Sequence, residues 1–511
     1  MDKKGIKWDV LLVPSFIFIT VIIIGLIDEA TFVATATNWF ETLMWNLGWL
    51  VSLTMLLFIG FILFIVFHPI GNVKFGGKDA KPTLGYWNWF AIALAAGIGS
   101  GIVFWGAVEP VLFSMEPAPS LGLEPGSNEA VIWAMRTTFM HWTFTPYAIY
   151  VTFGLILSYV IHNMKRPYTV SVGLEPLLGD KVHQWKIGKV IDVLVVFALV
   201  GGVAGSLGFG MLQITQGLSL VFNTPPNSVA VMIIVTVVIV ATYLISSLTG
   251  LEKGITWLSD KNVTMFFFIV IFFIVFGPTA YILNLFTQSF GSFLSNFVEG
   301  MTYTAPFPDG ELWPQWWDMF WWVDWLSYGP LIGLFFARLS YGRTLREFIL
   351  VNWLLPSLFG LVWFSAFGGT ALYAQFFGGI DYYEIFLTYG AESMTLATFQ
   401  SVPFTAVMQP VMLVVIILSF ITLADSMVST IASMTMKETD AHTEAPFTLK
   451  IFWGVLIAAT ALIFTLAAGL DGIRMVKTFA GFPIVFVGIA MVIGFIKHMR
   501  KMPKDEFGRY L

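Results

Sequence analysis

Long apolar segments, separated by short polar stretches, follow one another along almost the whole chain. Each of twelve such segments holds roughly 20 residues or more, which is the length that an α-helix needs to cross a bilayer. The segments lie at 10–28, 46–68, 86–106, 130–161, 190–220, 228–248, 262–289, 314–337, 346–373, 403–433, 447–469 and 474–496. The pattern predicts an all-α polytopic membrane protein with twelve transmembrane helices.

Lysine and arginine are distributed unevenly between the stretches that join these segments. Every second stretch contains neither residue, and these stretches are 28–45, 107–129, 221–227, 290–313 and 374–402. Because positive residues are retained on the cytoplasmic side, we predict a multi-pass protein of the plasma membrane with both termini cytoplasmic. Arg474 and Lys477 are the two residues that this arrangement would place on the opposite side.

Two shorter segments between the predicted spans have the spacing of amphipathic helices. They lie at 291–301, before the eighth span, and at 382–399, before the tenth. A helix with one apolar face lies in the membrane interface. We therefore expect either an extracellular vestibule that these segments roof or gate, or a plain structural role.

Composition supports the membrane class and argues against catalysis. The chain is 57% hydrophobic and 11% charged, compared with about 45–50% and about 25% in soluble domains. It contains no cysteine, so a thiol nucleophile and a thiolate metal site are excluded. Its six histidines lack the paired spacing of a metal motif. We predict no enzymatic activity, no cofactor, no bound metal and no nucleic-acid partner.

An aromatic run, WPQWWDMFWWVDWLSYGP, occupies 313–330. On a helix, Trp321, Trp325 and Tyr328 share one face. Aromatic rings attract a cation that cannot donate hydrogen bonds, by about 0.5–2 kcal/mol per ring, so the run indicates a quaternary ammonium ligand. The alternative is an interfacial aromatic belt. We favour the belt for Trp313, Trp316 and Trp317.

Two of the predicted helices contain residues that interrupt helices. The third carries a glycine cluster at 95–101, and the eighth carries Ser-Tyr-Gly-Pro at 327–330. Each would open a block of five helices, and an odd number inverts the second block relative to the first. Matched broken helices indicate a secondary transporter with a site near the midplane, although small-residue packing also explains the glycines. The predicted divisions are 1–85, 86–289, 290–497 and 498–511.

Several motifs along the chain resemble those of the betaine/carnitine/choline transporters. The resemblance implies two inverted five-helix repeats, as in leucine-transporter-like folds, behind two N-terminal helices. It also implies a homotrimer that carries trimethylammonium compounds such as glycine betaine, carnitine and choline. The motifs are GIGSGIVFWGAVEP (97–110), MHWTFTPYAIY (140–150), GSLGFG (205–210), FWWVDWLSYGP (320–330), ARLSYGRTLREF (337–348) and ITLADS (421–426).

The resemblance also implies which residues bind the substrate. An ungapped register from Ala337-Arg338 places the family's Trp-Trp pair at Asp324-Trp325. The first tryptophan of the pair is thus replaced by a carboxylate. The implied substrate-binding residues are Trp142, Tyr147, Tyr150, Asp324, Trp325, Tyr328, Gly97, Gly99 and Gly101.

Asp324 is the departure with the largest consequence, because a carboxylate at membrane depth is costly and indicates a function. It could face the substrate's ammonium and favour choline, it could bind and release a proton, or it could be hydrated and bonded to Ser327. Choline-type relatives carry Asp at the end of the glycine stretch, where this chain has Gly101, as betaine carriers do.

Ion coupling is the second departure. Sodium-coupled relatives carry Thr-Ser where this chain has Thr422-Leu423, and many carry Thr where it has Gly205. Leucine cannot bind an ion, since sodium sites are built from oxygen ligands. The same Thr-Leu pair resembles sodium-independent carnitine exchangers, but the arginine of those exchangers is replaced by Thr256. The candidate ion-coupling residues are Ala96, Ile98, Thr422 and Asp324.

Together, these features predict a secondary active transporter of quaternary ammonium solutes that works by alternating access without tight sodium coupling. A sodium-independent exchanger of carnitine-like betaines is the first alternative. A cation or ammonium channel is the second, although it gives no reason for inverted broken helices. Expected partners are the solute, a homotrimer and membrane lipids, which the basic residues Arg338, Arg343 and Arg346 would contact.

Overall fold

The computed structural model describes residues 5–98, 101–184, 186–226, 228–249, 252–306, 311–437 and 445–502. Within these ranges the chain is almost entirely helical. The extended pairings found there are two isolated bridges, Ile6 with Met436 and Lys74 with Thr344. The predicted all-α class is confirmed for this part of the chain.

The first half of the described chain alternates long helices with short connecting ones. α2 and α9 are the longest, at 39 and 36 residues. The helices are α1 (Trp8–Ile27), α2 (Glu29–Phe67), α3 (Tyr86–Ile98), α4 (Gly101–Met115), α5 (Asn128–Trp142), α6 (Phe144–His162), α7 (Glu175–Leu178), α8 (Lys181–Gln184), α9 (Ile187–Phe222), α10 (Val229–Thr249) and α11 (Glu252–Phe276).

The second half begins with a helix that follows a sharp bend, and its central helix is α14. A π-helical turn at Gln315–Met319 leads directly into α14. The helices are α12 (Thr279–Ser295), α13 (Phe297–Met301), α14 (Phe320–Ser340), α15 (Leu345–Ile349), α16 (Leu355–Phe376), α17 (Tyr382–Tyr389), α18 (Ala391–Ala397), α19 (Thr405–Met434), α20 (Phe447–Gly481) and α21 (Pro483–Met499).

Long apolar helices make this a polytopic membrane protein. Among the described residues, seven helical stretches are long and apolar enough to cross a bilayer, or eight if the bent pair α11–α12 counts as one. Apolar helices shorter than these, such as α4, fall outside that number. The predicted number of twelve spans and the inverted repeats therefore stay predictions.

The predicted seventh span, 262–289, is not one straight helix. α11 ends at Phe276, and the chain bends by 109° before α12. The residues of α12 that are buried are Ile282, Leu285, Ser289 and Phe293. Their spacing places them on one face, so α12 is amphipathic. The predicted amphipathic segment at 291–301 therefore contains the end of α12 and the short helix α13, and its place in the membrane interface stays a prediction.

The structure also corrects the predicted interruption of the eighth helix. α14 continues through Ser327, Gly329 and Pro330 to Ser340 without a break. The predicted interruption of the third helix stays a prediction, because residues 99–100, between Ile98 of α3 and Gly101 of α4, lie outside the described residues. α20 is broken instead at Ala468 and Gly469, whose φ is +55°. This break lies at the last two residues of the predicted segment 447–469.

Small residues allow α14 to lie close to its neighbours α6, α9 and α20. A Cβ atom on Gly333 would lie only 3.0 Å from the backbone nitrogen of Gly154 in α6. Because lipid is as apolar as the side chains, helices in a membrane are held together by close packing of this kind. α14 is therefore held at the centre of the helices that position the candidate site.

Candidate functional site

Four aromatic side chains from three helices meet beside α14. Trp142 ends α5, Tyr147 and Tyr150 lie on α6, and Trp325 lies on α14. The centroid of the Trp325 ring lies 5.7 Å from that of Trp142, 5.6 Å from that of Tyr147 and 5.1 Å from that of Tyr150. All four side chains are buried. The structure thus brings together four of the predicted substrate-binding residues, which we call the aromatic cage.

A local turn orients the rings that come from α5 and α6. Thr143, with φ −122° and ψ −114°, separates the two helices. Its hydroxyl donates to the carbonyl of Phe139 at 2.5 Å. Tyr147 and Tyr150 are three residues apart on α6 and so share a face. The turn directs Trp142 and this face of α6 toward the same side of α14.

Gly101 forms part of the wall behind the cage. A Cβ atom at this position would lie 2.7 Å from the ring of Trp142, so any side chain there would displace the indole. Ala96, Gly97 and Ile98 belong to the last turn of α3. Gly99 lies outside the described residues, and its predicted contact with substrate stays untested.

Tyr328 lies against α9 rather than among the cage rings. Its hydroxyl donates to the carbonyl of Gly202 at 2.5 Å and accepts from the hydroxyl of Ser206 at 2.7 Å. Trp321, which was predicted to share its face, contacts Trp142 with a centroid distance of 4.5 Å. The residues of the predicted aromatic face therefore have different partners, since Tyr328 contacts α9 and Trp321 contacts the end of α5.

Asp324 forms a buried ion pair with Lys477 of α20. Lys477 Nζ donates to Asp324 Oδ1 at 2.6 Å, and the two side chains are 3% and 9% exposed. The ammonium also lies 5.0 Å from the ring centroid of Phe209 and 5.6 Å from that of Tyr328. Sequence reasoning missed this partner, although Lys477 had already broken the charge pattern.

The pair changes how the three interpretations of Asp324 stand. Ser327 Oγ donates to the main-chain carbonyl of Asp324 at 2.6 Å, so the predicted bond to the carboxylate is wrong. Neutralisation by Lys477 also reduces the attraction that Asp324 offers to a second cation. Whether the pair takes part in proton transfer stays a prediction.

The remaining candidate ion-coupling residue is Thr422, on α19. Its hydroxyl donates to the carbonyl of Leu418 in the same helix, at 2.8 Å. Within the described ranges, no group of three or more His, Asp and Glu side chains has the arrangement of a metal site. The role of Thr422 in ion coupling stays a prediction.

A histidine held between two carboxylates lies next to the cage. His141 precedes Trp142, and its Nδ1 lies 3.1 Å from Glu109 Oε2 while its Nε2 lies 2.6 Å from Asp318 Oδ1. The three side chains are almost completely buried. The sequence pattern did not indicate that His141 joins Glu109 to Asp318. We call these residues the acidic histidine cluster.

A cavity of about 460 Å³ opens beyond this cluster. Its charged wall contains Arg474, whose guanidinium lies 3.9 Å from the ring centroid of Trp317 and 3.3 Å from Asp471 Oδ1. Another wall contains Trp105, whose ring contacts Trp321 with a centroid distance of 5.1 Å. Trp321 in turn contacts Trp142. A continuous row of indoles thus connects the cavity to the aromatic cage.

The buried carboxyl of Glu392, which also lines this cavity, should make the stability of the folded protein depend on pH. Burial raises the pKa of its carboxyl from the ordinary value of 4.5 to about 7. The folded protein therefore binds a proton more tightly than the unfolded chain, so stability is lost as pH rises from about 4.5 to about 7, by at most about 3 kcal/mol. We expect Glu392→Gln to flatten this slope in thermal unfolding measured from pH 4 to 8. Glu384→Gln, at an exposed position of α17, should leave it unchanged, and an unaltered slope in the Glu392 variant would contradict the assignment.

Comparison with known proteins shows the family to which this chain belongs. A family model described as BCCT, betaine/carnitine/choline family transporter, matches residues 9–504. The chain is 35% identical over 461 residues to the glycine betaine transporter OpuD of Bacillus subtilis, covering 90% of this chain and 88% of the relative. It is 32% identical to the ectoine/hydroxyectoine transporter of Virgibacillus pantothenticus, covering 99% of both. A high-affinity choline transport protein of Escherichia coli is 31% identical, over 90% of this chain and 66% of the relative. The chain belongs to the betaine/carnitine/choline transporter family.

Proposed function

We propose that this protein is a secondary active transporter of quaternary ammonium solutes and that the aromatic cage is its binding site. The observation that carries the proposal is the convergence of Trp142, Tyr147 and Tyr150 on Trp325. A trimethylammonium group cannot donate hydrogen bonds, so it is held by ring faces through cation–π attraction. A buried cage of this kind favours such a group over a hydrated ammonium or a metal ion.

The relatives narrow the class of solute. Their names specify glycine betaine, ectoine and choline. Glycine betaine and choline carry a trimethylammonium group, whereas the cation of ectoine is an amidinium that can donate hydrogen bonds. Glycine betaine is the first solute to test, because the relative named for it is 35% identical to this chain. Ectoine belongs in the same test, because its named transporter matches 99% of this chain.

Alternating access is the proposed mode of transport. In the described conformation the rings of the cage contact one another, so a solute must separate them to bind. Trp105, Trp321 and Trp142 likewise contact one another between the cage and the cavity lined by Arg474, so these rings must also separate if the solute enters from that cavity. We propose that twelve helices with two inverted repeats perform this movement in a homotrimer of the plasma membrane, with both termini cytoplasmic. Exposed Arg338 could contact anionic lipids, but the lipid contact expected of Arg343 is wrong, because that side chain is buried.

We propose that transport is not tightly coupled to a sodium gradient. The side chain of Leu423 offers no oxygen ligand, and the hydroxyl of Thr422 donates to a carbonyl of its own helix. Exchange of one carnitine-like betaine for another is the alternative, since it also needs no sodium. A cation channel is the alternative from another class.

Uptake into proteoliposomes separates these possibilities. Radiolabelled glycine betaine, carnitine, choline and ectoine would be supplied with and without sodium and with and without internal unlabelled solute. We expect saturable uptake that shows counterflow and does not need sodium. Uptake only against internal solute would identify the exchanger. Flux without saturation or counterflow would identify a channel and contradict the proposal.

A further inference from the structure

We propose that Lys477 is a resident cation, a tethered ammonium that neutralises Asp324 in place of a mobile coupling ion. The proposal deepens the proposed function and rests on it for its meaning in transport. It makes a separate claim about binding, however: the cation position beside Asp324 is filled by the protein itself, and it becomes available to an alkali cation only when Lys477 is removed.

The ion pair lies at the junction of three helices. Asp324 comes from α14, Lys477 from α20, and Phe209 from α9. The ammonium donates to Asp324 Oδ1 at 2.6 Å and lies over the rings of Phe209 and Tyr328 at 5.0 and 5.6 Å from their centroids. One carboxylate and two ring faces are the surroundings expected of a desolvated cation.

The backbone of α9 is shaped to admit the lysine side chain. A Cβ atom on Gly205 would lie 2.4 Å from Cγ, 2.7 Å from Cδ and 2.6 Å from Cε of Lys477. A side chain at position 205 would therefore occupy the volume of the lysine stem. Gly201 and Gly208 lie on the same face of α9 and approach Ala480 and Thr465 of α20 just as closely. The glycines let α20 come near enough for Lys477 to reach α14.

Physical chemistry explains why a cation must be present. An ionised carboxylate buried in the membrane interior requires either a positive partner or a proton. A mobile ion that fills this position can be released into the other compartment, and its gradient can then drive transport. A tethered ammonium cannot leave, so a sodium gradient does no work through it.

Removal of the lysine should leave a site that can hold an alkali cation. Lys477→Ala deletes the ammonium and most of the stem, and it leaves the Asp324 carboxylate in a cavity beside α9. Oxygen atoms of Tyr328, Ser206 and Gly202 lie at the same contact between α9 and α14. Carboxylate, hydroxyl and carbonyl oxygens are the ligands that hard cations prefer. We therefore expect the variant to bind sodium, which the wild-type protein does not bind here.

The test measures thermal unfolding of the purified full-length protein in sodium chloride and in N-methyl-D-glucamine chloride of equal ionic strength. For Lys477→Ala we expect sodium to raise Tm by several degrees. For the wild-type protein and for the matched control Asp324→Asn/Lys477→Met, which removes both charges, we expect no difference between the salts. An equal sodium shift in the wild-type protein, or no sodium shift in Lys477→Ala, would overturn the proposal.

A second variant covers the case in which Lys477→Ala does not fold. Asp324→Lys/Lys477→Asp exchanges the partners and keeps a tethered ammonium beside a carboxylate. We expect this variant to resemble the wild-type protein in showing no sodium shift, and a shift of several degrees would overturn the proposal. Because unfolding does not require transport, these results hold even if none of the solutes is carried. Conversely, saturable wild-type uptake that needs a sodium gradient would overturn the resident cation and leave the proposed transport of solutes intact.

Discussion

Trp325→Ala is expected to weaken binding of quaternary ammonium solutes by roughly ten- to thirtyfold. Trp325 is the ring that contacts each of the other three members of the cage. Loss of a desolvated cation–π contact costs about 2 kcal/mol, and about 1.4 kcal/mol corresponds to a factor of ten in affinity. Equilibrium binding of radiolabelled glycine betaine to the purified variant measures this loss directly.

Two further variants determine whether the ring itself is responsible. Trp325→Phe keeps an aromatic face and should recover most of the affinity. Trp39→Ala removes an indole from α2 that is 64% exposed, so it should leave binding unchanged. If Trp325→Ala binds every tested amine as tightly as the wild-type protein, the solute does not occupy the cage.

His141→Leu is expected to destabilise the fold by about 3–5 kcal/mol, because it leaves two buried carboxylates without their shared partner. Glu109 and Asp318 both contact the imidazole, at 3.1 and 2.6 Å. Leucine fills a similar volume but cannot donate to either oxygen. Thermal unfolding, or the fraction of monodisperse protein after purification, measures the effect.

A histidine outside the acidic histidine cluster provides the matched control. His498 lies near the end of α21 and is only partly buried, so His498→Leu should change stability by much less. The triple variant His141→Leu/Glu109→Gln/Asp318→Asn removes the unpaired charges and should recover part of the loss. A His141→Leu protein as stable as the wild type would show that the cluster does not hold the fold together.

The sequence predicted the cage well because helical spacing and motif register are local properties. Tyr147 and Tyr150 share a face because they are three residues apart on one helix. The position of Trp325 was predicted from an ungapped register within another helix. Trp142 lies at the end of the preceding helix, where the motif already joins it to the two tyrosines. The meeting of these rings with Trp325 is a contact between distant parts of the chain, and it was implied by the family resemblance rather than by local spacing.

The ion pair and the bend could not be predicted in the same way. Asp324 and Lys477 are 153 residues apart, and only the packing of α14 on α20 brings them together. Gly205, which had indicated a missing hydroxyl, instead makes room for the lysine stem. The bend after α11 was missed because the apolar face of α12 continues the hydrophobic run, so mean hydropathy does not mark the turn.

Contacts with distant residues also explain why α14 is not interrupted at Gly329 and Pro330. Gly329 and Pro330 weaken helices in isolation, yet proline removes only one backbone donor, and neighbouring helices support the rest. Gly329 lies against Phe153 and Ile149 of α6, where a Cβ atom would come within 3.0 Å of both side chains. The glycine therefore serves close packing rather than a break.

The central claim is that the cage recognises the positive charge of a quaternary ammonium group, and replacement of that nitrogen by carbon tests it most directly. Competition against radiolabelled solute would compare choline with 3,3-dimethylbutan-1-ol, and glycine betaine with 3,3-dimethylbutanoate. Each pair has the same shape and differs in the charge of the methylated group. We predict that the member with the methylated nitrogen binds roughly tenfold more tightly or better in at least one pair, and that Trp325→Ala reduces this preference. Equal competition by the carbon analogues in both pairs would contradict the account.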